Sequence, residues 1–91
     1  MSKFDHLAKP DAEAWKGLRL AARTRLATVV AHVIKTGTLQ RSDIVTIGEV
    51  SVPQASLDIR AILTRAPELM TYDASARCYR LAERTEGAEH G

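Results

Sequence analysis

The segment 51–67, SVPQASLDIRAILTRAP, constrains the fold most because it predicts a helix with both ends marked. Ser51 followed three residues later by Gln54 is typical of a capping box, in which the serine hydroxyl accepts the Gln54 backbone N–H and the Gln54 side chain reaches back. Pro53 falls in the first turn, where a missing N–H does no harm, and Pro67 ends the helix. Apolar residues at helical spacing form its packing face: Ala55, Ile59, Ile62 and Ala66.

The segment 9–37 predicts a long helix ahead of it. Pro10 with its neighbouring acids is typical of a helix start, and Gly37 is typical of a helix end. Gly17 or the stretch 23–25 can divide this segment into two helices, and the pattern leaves both possibilities open. An apolar stripe recurs every three or four residues: Trp15, Leu18, Ala22, Leu26, Val29 and Val33.

A short helix and a tight turn connect these two segments. The short helix is predicted to begin at Ser42–Asp43, and Gly48–Glu49 forms the turn. Glu49 occupies the position where helix-turn-helix proteins often have glycine, so we expect Gly48 to take over that role in a slightly different turn. Asp43 and Asp58 are interpreted as residues that cap a helix and pair with arginine.

After Pro67 the sequence no longer has a helical period. The segments 69–72 and 77–81 are short, aromatic and β-branched or apolar, and the turn formers at 73–76 separate them. They predict a β-hairpin, to which Thr38–Leu39 can add a short third strand. The order helix, helix, turn, helix, hairpin is that of a winged helix-turn-helix, a mainly α fold with a small β-hairpin.

A length of 91 residues allows one small domain. We expect a winged helix-turn-helix domain with an N-terminal helical extension at residues 11–82, between a flexible N-terminus at 1–10 and a disordered acidic tail at 83–91. No apolar run is long enough for a membrane span, and the polar start is not a signal peptide. A lone Cys78 excludes an internal disulfide and favours a cytoplasmic protein.

Basic residues are concentrated in one part of the chain, although the net charge is only +2. No acid occurs between Glu13 and Asp43, and that interval contains Lys16, Arg19, Arg23, Arg25, Lys35 and Arg41. A basic body followed by an acidic tail indicates a polyanionic partner, namely nucleic acid. A solvated helix face is the alternative.

No residues are arranged in a motif for catalysis or for holding a metal. His6, His32 and His90 are far apart, and none has a partner at the helical spacing of a metal pair. Cys78 lies in a predicted strand and is interpreted as a packed side chain rather than a nucleophile. The sequence has no Gly-rich phosphate loop and no paired-carboxylate motif. We therefore predict no enzyme, no metal and no cofactor.

The outward face of the 51–67 helix matches what the major groove of DNA requires. In a helix-turn-helix, this helix reads base edges from its N-terminal turns. Gln54 can pair with adenine, Arg60 with a guanine edge or a phosphate, and an outward Leu57 can pack on a thymine methyl group. A role in the helix cap is the alternative for Gln54. The predicted DNA contacts of the recognition helix are Ser51, Pro53, Gln54, Ser56, Leu57 and Arg60.

Contacts with the DNA backbone are predicted from the other elements. Arg41 and Ser42 open the short helix, where a positive dipole end favours phosphate. Ser75 and Arg77 in the hairpin would meet the backbone or the minor groove, although a solvated arginine is the alternative there. A dimer surface is predicted on the first helix, unless that stripe closes its own core: Trp15, Leu18 and Ala22.

One set of residues in the helix and hairpin also occurs in a known group of regulators: Ser51, Pro53, Gln54, Ala55, Ser56, Asp58, Pro67, Tyr72, Asp73, Ser75 and Tyr79. With them, the chain resembles the N-terminal winged helix-turn-helix of WYL-domain bacterial transcription regulators, in particular the BrxR/CapW-like repressors of phage-defence operons. In that family the Ser-x-x-Gln-Ala-Ser-x-Asp stretch opens the recognition helix, and the Tyr-Asp…Tyr pattern builds the wing. The resemblance covers about residues 15–81, because the upstream helices also fit.

The family continues beyond the wing into a WYL ligand-sensing domain and a C-terminal dimerisation domain, whereas this sequence stops after the wing. The resemblance therefore implies binding of double-stranded DNA, but not a small-molecule ligand domain or the family's mode of dimerisation. We predict a bacterial or phage sequence-specific regulator without membrane association. It is expected to repress its own or a neighbouring operon as a homodimer on an inverted repeat. The alternative is a winged-helix protein-interaction module, an adaptor or antagonist, that does not bind DNA.

Overall fold

Local sequence signals place most of the element boundaries, and the tertiary contacts shift a few of them. The computed structural model describes residues 2–82, so the acidic tail predicted at 83–91 lies outside the described residues. Two short 3-10 helices, Asp5–Ala8 and Glu13–Trp15, come first in the described chain. They are followed by α1 (Leu20–Thr36), β1 (Thr38–Leu39), α2 (Arg41–Gly48), α3 (Val52–Arg65), β2 (Met70–Asp73) and β3 (Cys78–Leu81).

The first α-helix is shorter than the sequence predicts. Its end at Gly37 is confirmed, since that residue is left-handed and its N–H donates to the Val33 carbonyl at 2.7 Å. The start predicted near Pro10 is wrong, because the α-helix begins only at Leu20. Gly17 causes this difference: it adopts a φ of +94°, which the right-handed helix does not allow.

The N-terminal segment packs on the core instead of extending α1. Phe4 and Leu7 are buried, although the sequence predicted a flexible segment at 1–10. Trp15 is fully buried beside them, and its indole Nε1 donates to the Leu7 carbonyl at 2.9 Å. Arg65 at the end of α3 donates to the Ala14 and Lys16 carbonyls at 3.1 and 2.9 Å. The core therefore extends further toward the N-terminus than predicted.

The turn between α2 and α3 differs from the one predicted. Gln40, not Ser42, precedes the first turn of α2, and its N–H donates to the Asp43 carboxylate at 2.8 Å. Asp43 therefore caps this helix, as predicted. Glu49 itself adopts the left-handed conformation, with a φ of +53°, so Gly48 does not take over that role. Gly48 is required for space, because a Cβ there would lie 2.7 Å from Cδ of Arg25.

Helix α3 has the start and the packing face that the sequence predicts. The Ser51 hydroxyl accepts the Gln54 backbone N–H at 3.2 Å, and Pro53 lies in the first turn. Four residues turn this helix onto the core and are buried: Ala55, Ile59, Ile62 and Ala66. The opposite face is exposed within the described part of the chain.

The hairpin and β1 form a three-stranded antiparallel sheet in the order β1-β3-β2. Thr38 pairs with Arg80, which confirms the predicted third strand. Tyr72 pairs with Tyr79 across the hairpin, with ring centroids 5.0 Å apart in an edge-to-face arrangement. The strands begin and end within a residue or two of the prediction. The second strand starts one residue later than predicted because Arg77 belongs to the turn.

This order of elements is a winged helix-turn-helix, and the fold class predicted from the sequence is confirmed. Helix α3 occupies the position of the recognition helix, and the β2–β3 hairpin is the wing. None of the helices within residues 2–82 is long and apolar enough to cross a membrane.

Candidate nucleic-acid interface

The outer face of α3 presents both apolar and charged side chains to solvent. Leu57 is 57% exposed and Val52 is 55% exposed, so neither contributes much to the core. Pro53 and Arg60 are also exposed. Pro53, Leu57 and Arg60 lie on the side opposite the packing face, and Val52 is the first residue of the helix.

Gln54 holds a buried carboxylate instead of reaching back to the helix start. Its side-chain Nε2 donates to Oδ1 of Asp58 at 3.0 Å, one helical turn later. No hydrogen bond within the described chain joins this side chain to the Ser51 backbone, so the reach-back part of the predicted capping box is wrong. The alternative role considered for Gln54, occupation by the helix cap, is thereby removed.

Asp58 is the centre of a hydrogen-bonded network between two helices. Its side chain is 4% exposed, and its two oxygens accept from Nε and Nη2 of Arg25 at 2.7 and 3.1 Å. These hydrogen bonds raise the pKa of Arg25 above its ordinary value. The expected pairing of Asp58 with an arginine is confirmed, and the pair links α1 to the recognition helix.

A groove of about 440 Å³ separates α3 from the wing. Its apolar lining includes Leu39, Ile59, Leu63 and Cys78, and the Tyr72 and Tyr79 rings also line it. Three arginines from different elements line it: Arg41 from α2, Arg60 from α3 and Arg77 from the wing. The structure thus brings together predicted base contacts and predicted backbone contacts that are far apart in the sequence.

The positive charge of this groove has no carboxylate partner among residues 2–82. Arg41 donates from Nη1 to the neutral Ser56 hydroxyl at 3.0 Å, and this bond fixes two predicted contact residues against each other. Arg60 and Arg77 make no hydrogen bond or ion pair through their side chains within the same described range. The acids on the same three elements bond to other groups: Asp58 to Arg25, Asp43 to the Gln40 N–H, and Asp73 to Arg80.

The turn of the wing is held by Asp73. Its Oδ1 accepts the Ser75 N–H, the Ser75 hydroxyl and the Ala76 N–H at 3.0, 2.7 and 3.2 Å, and its Oδ2 accepts from Arg80. These hydrogen bonds hold the pKa of Asp73 well below its usual range, and the bond from Arg80 has the largest effect. Arg77 follows in a left-handed conformation with a φ of +58°. Ser75 is therefore committed to the turn, whereas Arg77 projects from it.

The remaining predicted site residues lie away from this groove. Ser42 is exposed in the first turn of α2 and does not line the groove. In the predicted dimer surface, Trp15 is fully buried within its own chain, and Leu18 and Ala22 are half-buried. The burial of Trp15 supports the alternative that this part of the stripe closes its own core.

Side chains that could bind a metal or act as a nucleophile are not clustered within residues 2–82. No group of three or more histidine, cysteine, aspartate or glutamate side chains that could hold a metal occurs among residues 2–82. Cys78 is buried in β3, as a packed side chain would be. The arrangement in and around the groove is suited to binding a large anion through guanidinium groups.

The structural role of Arg25 was not recognised from the sequence. It was grouped with the basic residues of the first helix, but its guanidinium is held by Asp58, which lies 33 positions away. Arg23 is also occupied, since its Nε donates to the Leu18 carbonyl at 3.0 Å. The Gln-x-x-x-Asp spacing at 54–58 was the available signal for half of the network, because residues four apart on a helix face each other.

The fold and the groove together define a winged helix-turn-helix with a basic cleft between recognition helix and wing. The chain is similar to the DNA-binding transcriptional repressor CapW of Pseudomonas aeruginosa, with 33% identity over 75 residues. The matched region comprises 82% of this chain and 25% of that protein, so the chain spans about a quarter of its relative's length. No protein-family model matches the sequence.

Proposed function

We propose that this protein is a sequence-specific regulator of transcription that binds double-stranded DNA. The observation that carries the proposal is the groove lined by Arg41, Arg60 and Arg77, whose charges have no carboxylate partner within residues 2–82. Guanidinium groups bind phosphates through paired hydrogen bonds and also read guanine edges. The similarity to a DNA-binding repressor supports the same proposal.

Different elements contact different parts of the DNA. Helix α3 enters the major groove and reads bases with Gln54, Leu57 and Arg60, while Pro53 and Ser56 shape its contact face. The Arg41 side chain and the first turn of α2, with Ser42, bind the phosphate backbone. Ser51 keeps the start of α3 in place, and the wing directs Arg77 at the backbone or the minor groove, on a turn that Ser75 stabilises.

The protein acts as a repressor of its own or a neighbouring operon, and it binds an inverted repeat as a homodimer. Two half-sites multiply the affinity of one small module. The dimer surface lies at the start of α1, where Leu20 is 62% exposed between the half-buried Leu18 and Ala22.

Binding of the purified protein to DNA from upstream of its own gene tests this proposal. Fluorescence anisotropy compares that DNA with a scrambled duplex across a salt series from about 50 to 200 mM. We expect a preference of at least about 10³-fold for the specific duplex and a steep loss of affinity as salt rises. Equal binding to both duplexes would contradict sequence-specific regulation.

A second candidate function is a winged-helix module that binds a protein. It is favoured by exposed apolar side chains on α3 and the wing, since Leu57, Val52 and Tyr72 would anchor a partner. In this case no duplex would bind even at low salt. Substitution of Leu57 by Asp would then abolish partner binding, whereas Arg77→Ala would have little effect.

A further inference from the structure

The structure fixes the orientation of the Gln54 amide on the recognition helix. A carboxylate only accepts hydrogen bonds, so the side chain must turn Nε2, not Oε1, toward Asp58. Asp58 accepts two further hydrogen bonds from Arg25 and is buried, so its carboxylate is fixed in place beside the Gln54 amide. The amide therefore has one orientation rather than two.

This orientation leaves a defined set of hydrogen-bonding groups for a partner. One N–H of the amide is occupied by Asp58, and one N–H and the Oε1 acceptor remain. Gln54 is half-buried on the first turn of α3, at the end of the helix that reads base edges. One donor beside one acceptor is complementary to adenine, which offers N7 and its amino group in the major groove. Guanine offers two acceptors and cytosine one donor, so neither matches both groups.

We propose that Arg25 and Asp58 are positioning residues that fix the Gln54 amide for one adenine in each half-site of the operator. This inference rests on the proposed function and names the base that this part of the site recognises. Arg25 acts from α1, which does not belong to the helix-turn-helix contact surface, and it reaches Asp58 because Gly48 leaves room for its side chain. Base selection is thereby coupled to the packing of α1 against α3.

The test measures base preference in the full chain at every position of the bound operator. For the wild-type protein, each base pair of the upstream duplex is replaced in turn and the affinity is measured. We expect one position in each half-site at which adenine is preferred by about 10-fold or more. The Gln54→Ala variant should reduce the preference at that position to within about twofold and leave the other positions unchanged.

The positioning role is tested by Asp58→Asn, which keeps the size of the side chain. An amide at position 58 can donate or accept, so the Gln54 amide can turn over and the adenine preference should also fall to within about twofold. The double variant Gln54→Ala/Asp58→Asn should show no further change at that position, because both substitutions remove one interaction. If Asp58→Asn does not fold, Arg25→Gln/Asp58→Asn replaces it, since two amides can bond to each other.

Arg65→Gln is the matched control. It removes an arginine that bonds to the N-terminal segment outside the groove, so it lowers stability without changing base preference. A wild-type adenine preference that survives in folded Asp58→Asn would overturn the positioning role. If no operator position shows an adenine preference that is lost in Gln54→Ala, the assignment of the base would be overturned. A wild-type protein that prefers no duplex would overturn the proposed function, and this inference with it.

Discussion

Arg25 and Asp58 form a bidentate ion pair between α1 and the recognition helix, with Nε to Oδ2 at 2.7 Å and Nη2 to Oδ1 at 3.1 Å. The Arg25 side chain is 21% exposed and that of Asp58 only 4%. A charged pair at this depth does not by itself make a protein more stable than apolar residues would. Its effect is to define how α3 sits on α1, since either residue alone would leave a buried charge without a partner.

Replacement of Asp58 by Ala should therefore destabilise the fold strongly. The Arg25 guanidinium would lose its carboxylate, which costs about 3 kcal/mol for a pair that retains some contact with water. Urea unfolding followed by circular dichroism measures the change. Glu13→Ala is the control, because its carboxylate lies 3.9 Å from Nζ of Lys16 with both side chains exposed, and no change is expected. Equal stability of the two variants would contradict the structural role of Asp58.

Gly48→Ala should lower stability even though alanine is the better helix former. The added Cβ would lie 2.7 Å from Cδ and 3.0 Å from Cγ of Arg25, whose guanidinium is fixed by Asp58. Crowding of this kind costs about 1–3 kcal/mol, against a gain in helix propensity of about 1 kcal/mol. We expect a net loss of about 1 kcal/mol in the same unfolding experiment. Thr46→Ala, at an exposed position of α2, should cause no loss.

The start of α3 allows its stability to be separated from DNA binding. Ser51→Ala removes the acceptor for the Gln54 N–H and should lower the free energy of unfolding by about 1 kcal/mol. Ser51→Asp restores a good cap and should regain that stability. Its negative charge should nevertheless weaken binding to a polyanion, as measured by anisotropy at low salt. Equal DNA binding by the wild type and Ser51→Asp would show that this end of α3 does not approach DNA.

Arg60 and Arg77 should differ in what they contribute to DNA binding. Arg60 lies on the recognition helix, so Arg60→Ala should relax base preference at one or two adjacent positions. Arg77 lies on the wing, so Arg77→Ala should weaken all sequences alike and reduce the salt slope by about 1. Measurement of both variants on specific and scrambled duplexes distinguishes these effects. Identical loss on both duplexes for both variants would assign Arg60 to the backbone as well.

The wing turn should resist acid to a lower pH than an ordinary aspartate would allow. The bonds from Arg80, Ser75 and Ala76 lower the pKa of Asp73 in the folded state, so its contribution is complete above the ordinary pKa of about 4. It is lost only as pH falls below that value, through the lowered pKa of the folded protein. The difference in urea midpoint between wild type and Asp73→Asn should be constant above pH ~5 and shrink below pH ~4. A difference that already shrinks near neutral pH would contradict this.

Features that depend on neighbouring residues were predicted well. Ser51 caps α3, Gly37 ends α1, and the packing face of α3 is the one that its spacing predicts. The hairpin and its third strand were also predicted, because short aromatic and β-branched runs separated by turn formers indicate strands. These signals act within a few residues, and at these positions the tertiary contacts do not reverse them.

The errors arose where a residue had several possible partners. Trp15 continued a helical stripe in the sequence, yet Gly17 breaks the helix and Trp15 bonds to Leu7 in the core. Gln54 had the spacing of a capping box, but a buried carboxylate one turn later binds its amide more strongly than an exposed backbone N–H does.

Sequence reasoning was enough to establish the order of the elements, the ends of α3 and the residues that α3 turns outward, because caps, proline and apolar spacing act locally. The packing of the helices was needed to show which arginine serves the fold and which ones line the groove. Arg25 meets Asp58 across 33 positions, whereas Arg41, Arg60 and Arg77 come together at one groove from three elements. Contacts of this range depend on how helices pack, and charge alone does not distinguish one arginine from another.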